Sequence, residues 1–241
     1  MESRRVVVTG VGLVTPVGND AEITWQNLLA GRNGITRITR FDTEKQLVKI
    51  AGEIKDFDPA QHMDFKMARR SGRFAHFAVA ASKQALCMAK IEIDDSNRDE
   101  IGVIVASSGG AFEMGKQEQV LEERGGSKVD PLLIPRLGGY MAAARVGRVL
   151  GVRGPNSTIN SACASGTDAL GQALNMIRSG ATDVLLAGAA EAIVTPVGVA
   201  AMAILGALTR ASNDDPAHAS RPFDAKRAGF VLAEGAGMLV L

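Results

Sequence analysis

The chain predicts an α/β fold, and three observations carry the prediction. Strand-like apolar runs alternate with helical patterns along its length, the signature of a sheet covered by helices. Residues 101–106 are apolar, mostly β-branched and uncharged, as a strand buried on both faces requires. Phe74, Phe77, Ala78, Ala81, Ala85, Met88 and Ala89 keep helical spacing and form one continuous face. With 46% hydrophobic and 22% charged residues, the 241-residue chain is an ordinary globular sequence, neither disordered nor fibrous.

Taken in order, residues 4–9 read as a first strand, interrupted by Gly10 and Gly12. Residues 20–30 make a short helix with Gly31 as its stop, and a second helix runs over 69–90. The strand 101–106 ends in the loop Ser107, Ser108, Gly109 and Gly110, and a polar surface helix follows over 113–123. Gly125, Gly126, Pro131 and Pro135 punctuate a long connection before helical spacing resumes over 140–150. A strand over 155–162 leads into a helix over 164–178, and 183–187 is again a strand. The 17 residues from 192 to 208 carry no charge, but Thr195, Pro196, Gly198 and Gly206 dilute them into a buried small-residue helix, not a membrane span. After a polar loop over 213–222, residues 230–232 and 237–241 read as a closing hairpin. The last residues are apolar with no polar tail, so the sequence reads as a piece of a longer protein.

Composition narrows the function. A net charge of +1 offers no bulk field for a nucleic acid or an anionic membrane, and 4% aromatic residues leave few stacking platforms for bases. Cys87 and Cys163 are too few for a disulfide framework or a cysteine metal cage, which fits a reducing, cytoplasmic setting. Cys87 has no acid or base spaced to activate it and reads as structural. Thr9, Gly10, Val11 and Gly12 suggest a dinucleotide loop, but Thr15 takes the place of the third glycine and Pro16 follows.

The strongest chemical constellation is Asn160, Ser161, Ala162, Cys163, Ala164, Ser165 and Gly166, where a strand turns into a helix. Such a turn exposes its apex over a helix N-terminus, whose unpaired N–H groups favour an anion; the thiolate is the nucleophilic form of cysteine. The backbone N–H of Cys163 also serves as one oxyanion donor on this reading. The alternative is that a lone cysteine among alanine and serine is simply a small buried residue.

The segment from Gly154 to Gly166 resembles the active-site stretch of β-ketoacyl-acyl carrier protein synthases of the bacterial type II system, the condensing enzymes of fatty acid synthesis. Arg4 through Gly10 with Thr15, Pro16, Val17 and Gly18 resembles the family's opening. Arg221, Pro222, Phe223 and Asp224, then Gly229, Phe230 and Val231, then Glu234 through Gly237 resemble its later signature. The resemblance implies a thiolase-like fold, with these 241 residues forming one βαβαβαββ half, the N-terminal one, of a five-layered α/β/α/β/α homodimeric enzyme. It implies that Cys163 takes an acyl group from a carrier protein and that a malonyl-derived carbanion then attacks the acyl-enzyme. No cofactor or metal is implied, since substrates ride on the phosphopantetheine arm of acyl carrier protein. Ser108 and Met202 match positions lining the acyl tunnel, although Met202 also reads as plain core.

Lys66, Arg69, Arg70 and Arg73 cluster at the start of the second helix, either as a solvated helix end or as a docking patch. The resemblance assigns Lys66, Arg69 and Arg70 to docking of the acidic carrier. It also implies two histidines and a lysine in HGT and GH contexts, and these 241 residues contain none. His62 and His218 read as surface groups, and His76, opposite the apolar stripe, as solvated or interfacial. These residues alone are therefore not expected to condense. Ala228 stands where the family carries an acid, and Tyr140 where it carries a smaller polar residue. The alternatives are a noncatalytic partner subunit of the same fold, which typically lacks the cysteine, and a thiolase acting on coenzyme A thioesters.

Overall fold

Gly10 and Gly12 lie inside the first strand. In the computed structural model, which describes residues 4–241, β1 is Gly10–Val14 and is followed by α1 (Ala21–Leu29), β2 (Ile35–Arg37), β3 (Ile50–Gly52), α2 (Phe65–Arg69) and α3 (Arg73–Ala89). Next come β4 (Ile101–Ala106), α4 (Met114–Arg124), α5 (Leu133–Leu137), α6 (Met141–Leu150) and β5 (Asn156–Ile159). The order closes with α7 (Ser165–Arg178), β6 (Val184–Glu191), α8 (Pro196–Ile204) and β7 (Gly235–Val240).

One five-stranded sheet has the order β1-β7-β6-β4-β5. β4 pairs in parallel with β5 and β6, whereas β7 runs antiparallel to both β6 and β1. The framework β1-α3-β4-α6-β5-α7-β6-β7 is therefore the expected βαβαβαββ unit. Alternation along the strands divides the core. Val103 and Val105 face Phe74, Phe77, Ala142 and Val146 of α3 and α6, while Ile104 and Ala106 face Ala169, Ala173 and Ile177 of α7. A satellite cluster around Ile50, Val199, Leu208 and Leu232 ties the β2–β3 pair to α8.

The first strand begins at Gly10, not at Arg4, and at Gly10 and Gly12 α3 approaches it too closely for side chains. A Cβ on Gly12 would strike the Ala81 carbonyl, and one on Gly10 the Ala85 carbonyl, so glycine is the price of this contact. Gly12→Ala is expected to cost more than about 3 kcal/mol, since backbone on both sides must move; urea unfolding measures it. β1 is also an edge, and α3 caps it. The Val11 N–H donates to Met88 Sδ at 3.3 Å and the Leu13 N–H to Gln84 Oε1 at 3.0 Å.

Four other expectations need correcting. The helix over 69–90 is two helices, broken at Ser71 and Gly72: a Cβ on Gly72 would lie 2.6 Å from the Arg136 carbonyl oxygen. The apolar helix over 192–208 shortens to α8 because Thr195 caps its start, accepting from the Gly198 N–H at 3.1 Å, and it is buried on one side only. Ile204 and Leu205 are 73% and 75% exposed. No hairpin closes the chain. Phe230 bridges to Leu208 and Ala233 to Gly52, while β7 inserts between β1 and β6. The strand over 155–162 stops at Ile159, because the next residues turn into the site described below. No helix among the described residues is long and apolar enough to cross a membrane.

Candidate active site

Beyond β5 the chain reverses over the five residues 160–164 and enters α7, and the pivot is Ala162, a non-glycine residue at φ 55°. A left-handed alanine costs roughly 1–2 kcal/mol and persists only where its surroundings over-determine it. Here they do. The Ser165 hydroxyl accepts from the Ser161 N–H at 2.7 Å and donates to the Ala162 carbonyl at 2.6 Å. Ser161 Oγ donates to the Asp168 carboxylate one turn into α7, and the Ala162 N–H reaches Asn160 Oδ1 at 3.2 Å. The apex of this braced turn is Cys163, in a 3₁₀ turn at the N-terminus of α7, and its thiol is exposed.

The thiol faces a cavity of about 750 Å³ at the carboxyl ends of β4, β5 and β6, the position at which open α/β sheets hold ligands. Ala162, Cys163 and Gly166 line one side, Ser107 and Ser108 another, and Ile193 and Met202 a third. The structure brings Cys163, Ser108 and Met202 to one cavity. Ser108 also has a second job. Its hydroxyl donates to Glu191, which also accepts the Ser108 N–H at 3.0 Å, so the loop after β4 is tied to the end of β6.

Sequence reasoning gave no site role to Glu191 and placed Glu234 only within a signature stretch, yet both are acids in the cavity wall. The signal for Glu191 was its place between an apolar strand and an uncharged run. Glu234 is the more constrained. Its side chain is 0% exposed and accepts from Arg73 Nη2 at 2.6 Å, Arg40 Nη1 at 3.0 Å and the Ile54 N–H at 2.9 Å. Arg73, which from its spacing belonged with the basic cluster, is therefore turned inward; it also lies over the Phe77 ring at 4.7 Å. Lys66, Arg69 and Arg70 are exposed on α2 and its end, beside Phe65, outside the cavity lining.

None of the three histidines lines the cavity. His76 is not solvated: Nε2 donates to the Ala68 carbonyl at 2.9 Å, bridging α2 and α3, and burial lowers its pKa. His62 stacks on Phe57 at 5.3 Å and is only partly exposed; burial, helped by Lys83, lowers its pKa as well. His218 is exposed and pairs with Asp215. Tyr140 is exposed and outside the cavity lining, as is Cys87. Among the described residues no three His, Cys, Asp or Glu side chains gather as metal ligands.

A mixed-sheet βαβαβαββ unit with a cysteine braced at a strand–helix turn defines a thiolase-like, ketosynthase-type half. The chain belongs to the family described as Beta-ketoacyl synthase, N-terminal domain, which matches residues 3–241. It is 45% identical over 242 residues to the 3-oxoacyl-[acyl-carrier-protein] synthase 2 of Synechocystis sp., covering 100% of this chain and 58% of that protein. The crystal structure of a Beta-ketoacyl synthase from Burkholderia phymatum superposes with a TM-score of 0.86 at 33% identity, over 97% of this chain and 58% of that one. A type II polyketide ketosynthase, solved in complex with its acyl-carrier protein and bound to the hexaketide, gives 0.78 at 29% identity, over 99% and 58%. The chain spans a little over half the length of these relatives.

Proposed function

We propose that these residues form the acyl-accepting half of a 3-oxoacyl-[acyl-carrier-protein] synthase, with Cys163 as the nucleophile. The observation that carries the reading is the exposed thiol, braced at the N-terminus of α7 and opening onto the cavity of about 750 Å³. The Cys163 sulfur attacks the thioester carbonyl of an acyl carrier protein; the new C–S bond forms as the bond to the pantetheine sulfur breaks, and that thiol leaves with a proton. The helix N-terminus favours the attacking anion, and the Cys163 N–H is one donor for the oxyanion. Leu13, Val14, Phe112, Ile193 and Met202 give the cavity apolar walls suited to an acyl chain. Ser108 and Met202 act there as lining residues. Condensation with malonyl-carrier protein is the second step, and the histidines and lysine that the resemblance implies for it do not occur in these residues.

No cofactor is needed, because the phosphopantetheine arm delivers the substrate. Lys66, Arg69 and Arg70 form the docking patch for the acidic carrier, with exposed Phe65 beside them. The carrier complex of the related ketosynthase supports this partner. A homodimer joined at the β5 edge and a cytoplasmic setting complete the reading; free Cys87 and Cys163 agree with the latter.

Double reversal, Lys66→Glu with Arg70→Glu, tests the reading. Transfer from an acyl carrier protein is expected to slow about tenfold or more at low ionic strength, with the difference shrinking as salt rises. Transfer from acyl-coenzyme A serves as the control and is expected to stay unchanged. Equal rates for both carrier reactions would remove the patch. A parent chain that takes acyl groups from coenzyme A alone would favour the thiolase alternative.

A further inference from the structure

Arg145, in α6, is 8% exposed and has no carboxylate partner among the described residues. Its Nη2 donates to the Arg70 carbonyl at 2.8 Å, its Nη1 lies 3.5 Å from Met67 Sδ, and its Nε–H is buried with no partner. The charges it feels most, Arg148 and Arg70, are both positive. Arg136 does similar work next door but with compensation. It donates to the Arg69 carbonyl at 2.5 Å and pairs with Asp130.

The two guanidiniums thus take the carbonyls at the C-terminal end of α2, the end that carries the partial negative charge of the helix. A buried charge without a counter-ion is destabilising, and an apolar residue of similar volume is commonly neutral or better in its place. Arg145 is therefore poorly explained as a device for stability. Arg145 thus holds the Arg70 carbonyl from beneath, and exposed Arg69, Arg70 and, one turn earlier, Lys66 belong to the same short helix and its end.

We propose that Arg145 is the buried member of the α2 docking surface, a cation whose counter-ion is the acidic partner protein itself. This rests on the docking reading above and deepens it. From beneath Arg70 it cancels the carbonyl end of α2 and adds a charge that solvent screens less than it screens the exposed side chains. It acts through the field and through Arg70, so it is a positioning residue and not a catalytic one.

The test measures association of the chain with a purified type II acyl carrier protein, at low and at high salt, for the parent, Arg145→Met, Arg145→Gln, Arg145→Lys and Lys66→Glu. Arg145→Met is expected to fold at least as stably as the parent yet bind about 3- to 10-fold more weakly at low salt, a gap that closes at high salt. Arg145→Lys, which keeps the charge, should retain most of the affinity. A role confined to packing would move stability and leave the salt dependence unchanged. Parental binding by Arg145→Met, with Lys66→Glu weakened, overturns the inference and leaves the docking reading standing. If Lys66→Glu also binds as the parent does, the docking reading itself falls. Should the Met variant not fold, Arg145→Gln decides: a neutral donor able to hold the Arg70 carbonyl is expected to lose affinity as Met would, and parity with the parent overturns the inference.

Discussion

Cys163→Ala is expected to abolish the acyl adduct that forms when the chain is incubated with an acylated carrier protein, as read by intact mass. The effect is all or none, because the substitution deletes the atom to which the acyl group bonds. It should cost little else. The thiol is exposed, so its removal leaves no core cavity, and the unfolding midpoint should stay within about 0.5 kcal/mol of the parent. The brace around it, Ser165 to Ser161 and Ala162, uses no atom of the cysteine side chain. Cys87 makes the measurement discriminating, since it is an equally free and exposed thiol on α3 that lies outside the cavity lining. An adduct that persists in Cys163→Ala and disappears in Cys87→Ala would transfer the acceptor role to the wrong end of the molecule and sink the assignment. No adduct on the parent, from a chain shown to be folded, would mean that the braced turn alone does not accept acyl groups.

The largest loss of stability is expected from Glu234→Ala. The carboxylate is fully buried and holds Arg73, Arg40 and the Ile54 N–H at once, joining α3, the segment after β2 and the segment after β3 at the start of β7. Deleting it leaves two guanidiniums without their acid, and breaking a buried pair in this way costs about 3–5 kcal/mol. Glu234→Gln should lose less, because a neutral side chain of the same shape still accepts from Ile54. Chemical denaturation of both variants checks the order. A loss below about 1 kcal/mol for alanine would show that the arginines find water or other acceptors without penalty.

Much of this was written in local sequence. Asp20 and Gly31 frame α1 because the Asp20 carboxylate accepts from the Ile23 N–H at 2.7 Å and Gly31 takes a left-handed φ of 64°. The bounds of β4 were legible because its residues are apolar on both faces, and the loop of Ser107 to Gly110 ends it. What failed did so where tertiary contact overrides local preference. Gly10 and Gly12 lower strand propensity, yet they are required by a helix that sequence order places sixty residues away. β2 and β3 are three residues each, too short for a periodic signal. In the site, Cys163 was visible because its turn is local; Glu234 and Arg73 meet across 161 residues, and spacing alone put Arg73 with the solvent-facing arginines. Arg145 gave no sign of burial, because a charged residue in an amphipathic helix reads as surface.

The capping of β1 by Gln84 and Met88 has a consequence for how this sheet can grow. A sheet with two live edges is a monomer unit for polymerisation: each copy can recruit the next, and the chain of copies has no natural end. Here one rim is stoppered from within by side chains of the same polypeptide, and β5 is left at the other. In the homodimer proposed above, strand addition at β5 by a second copy would consume the open rim of both and hold the assembly at two. Gln84→Ala, which uncovers the Leu13 N–H, is expected to raise the tendency to associate beyond the proposed pair, as light scattering of the two chains at equal concentration would show.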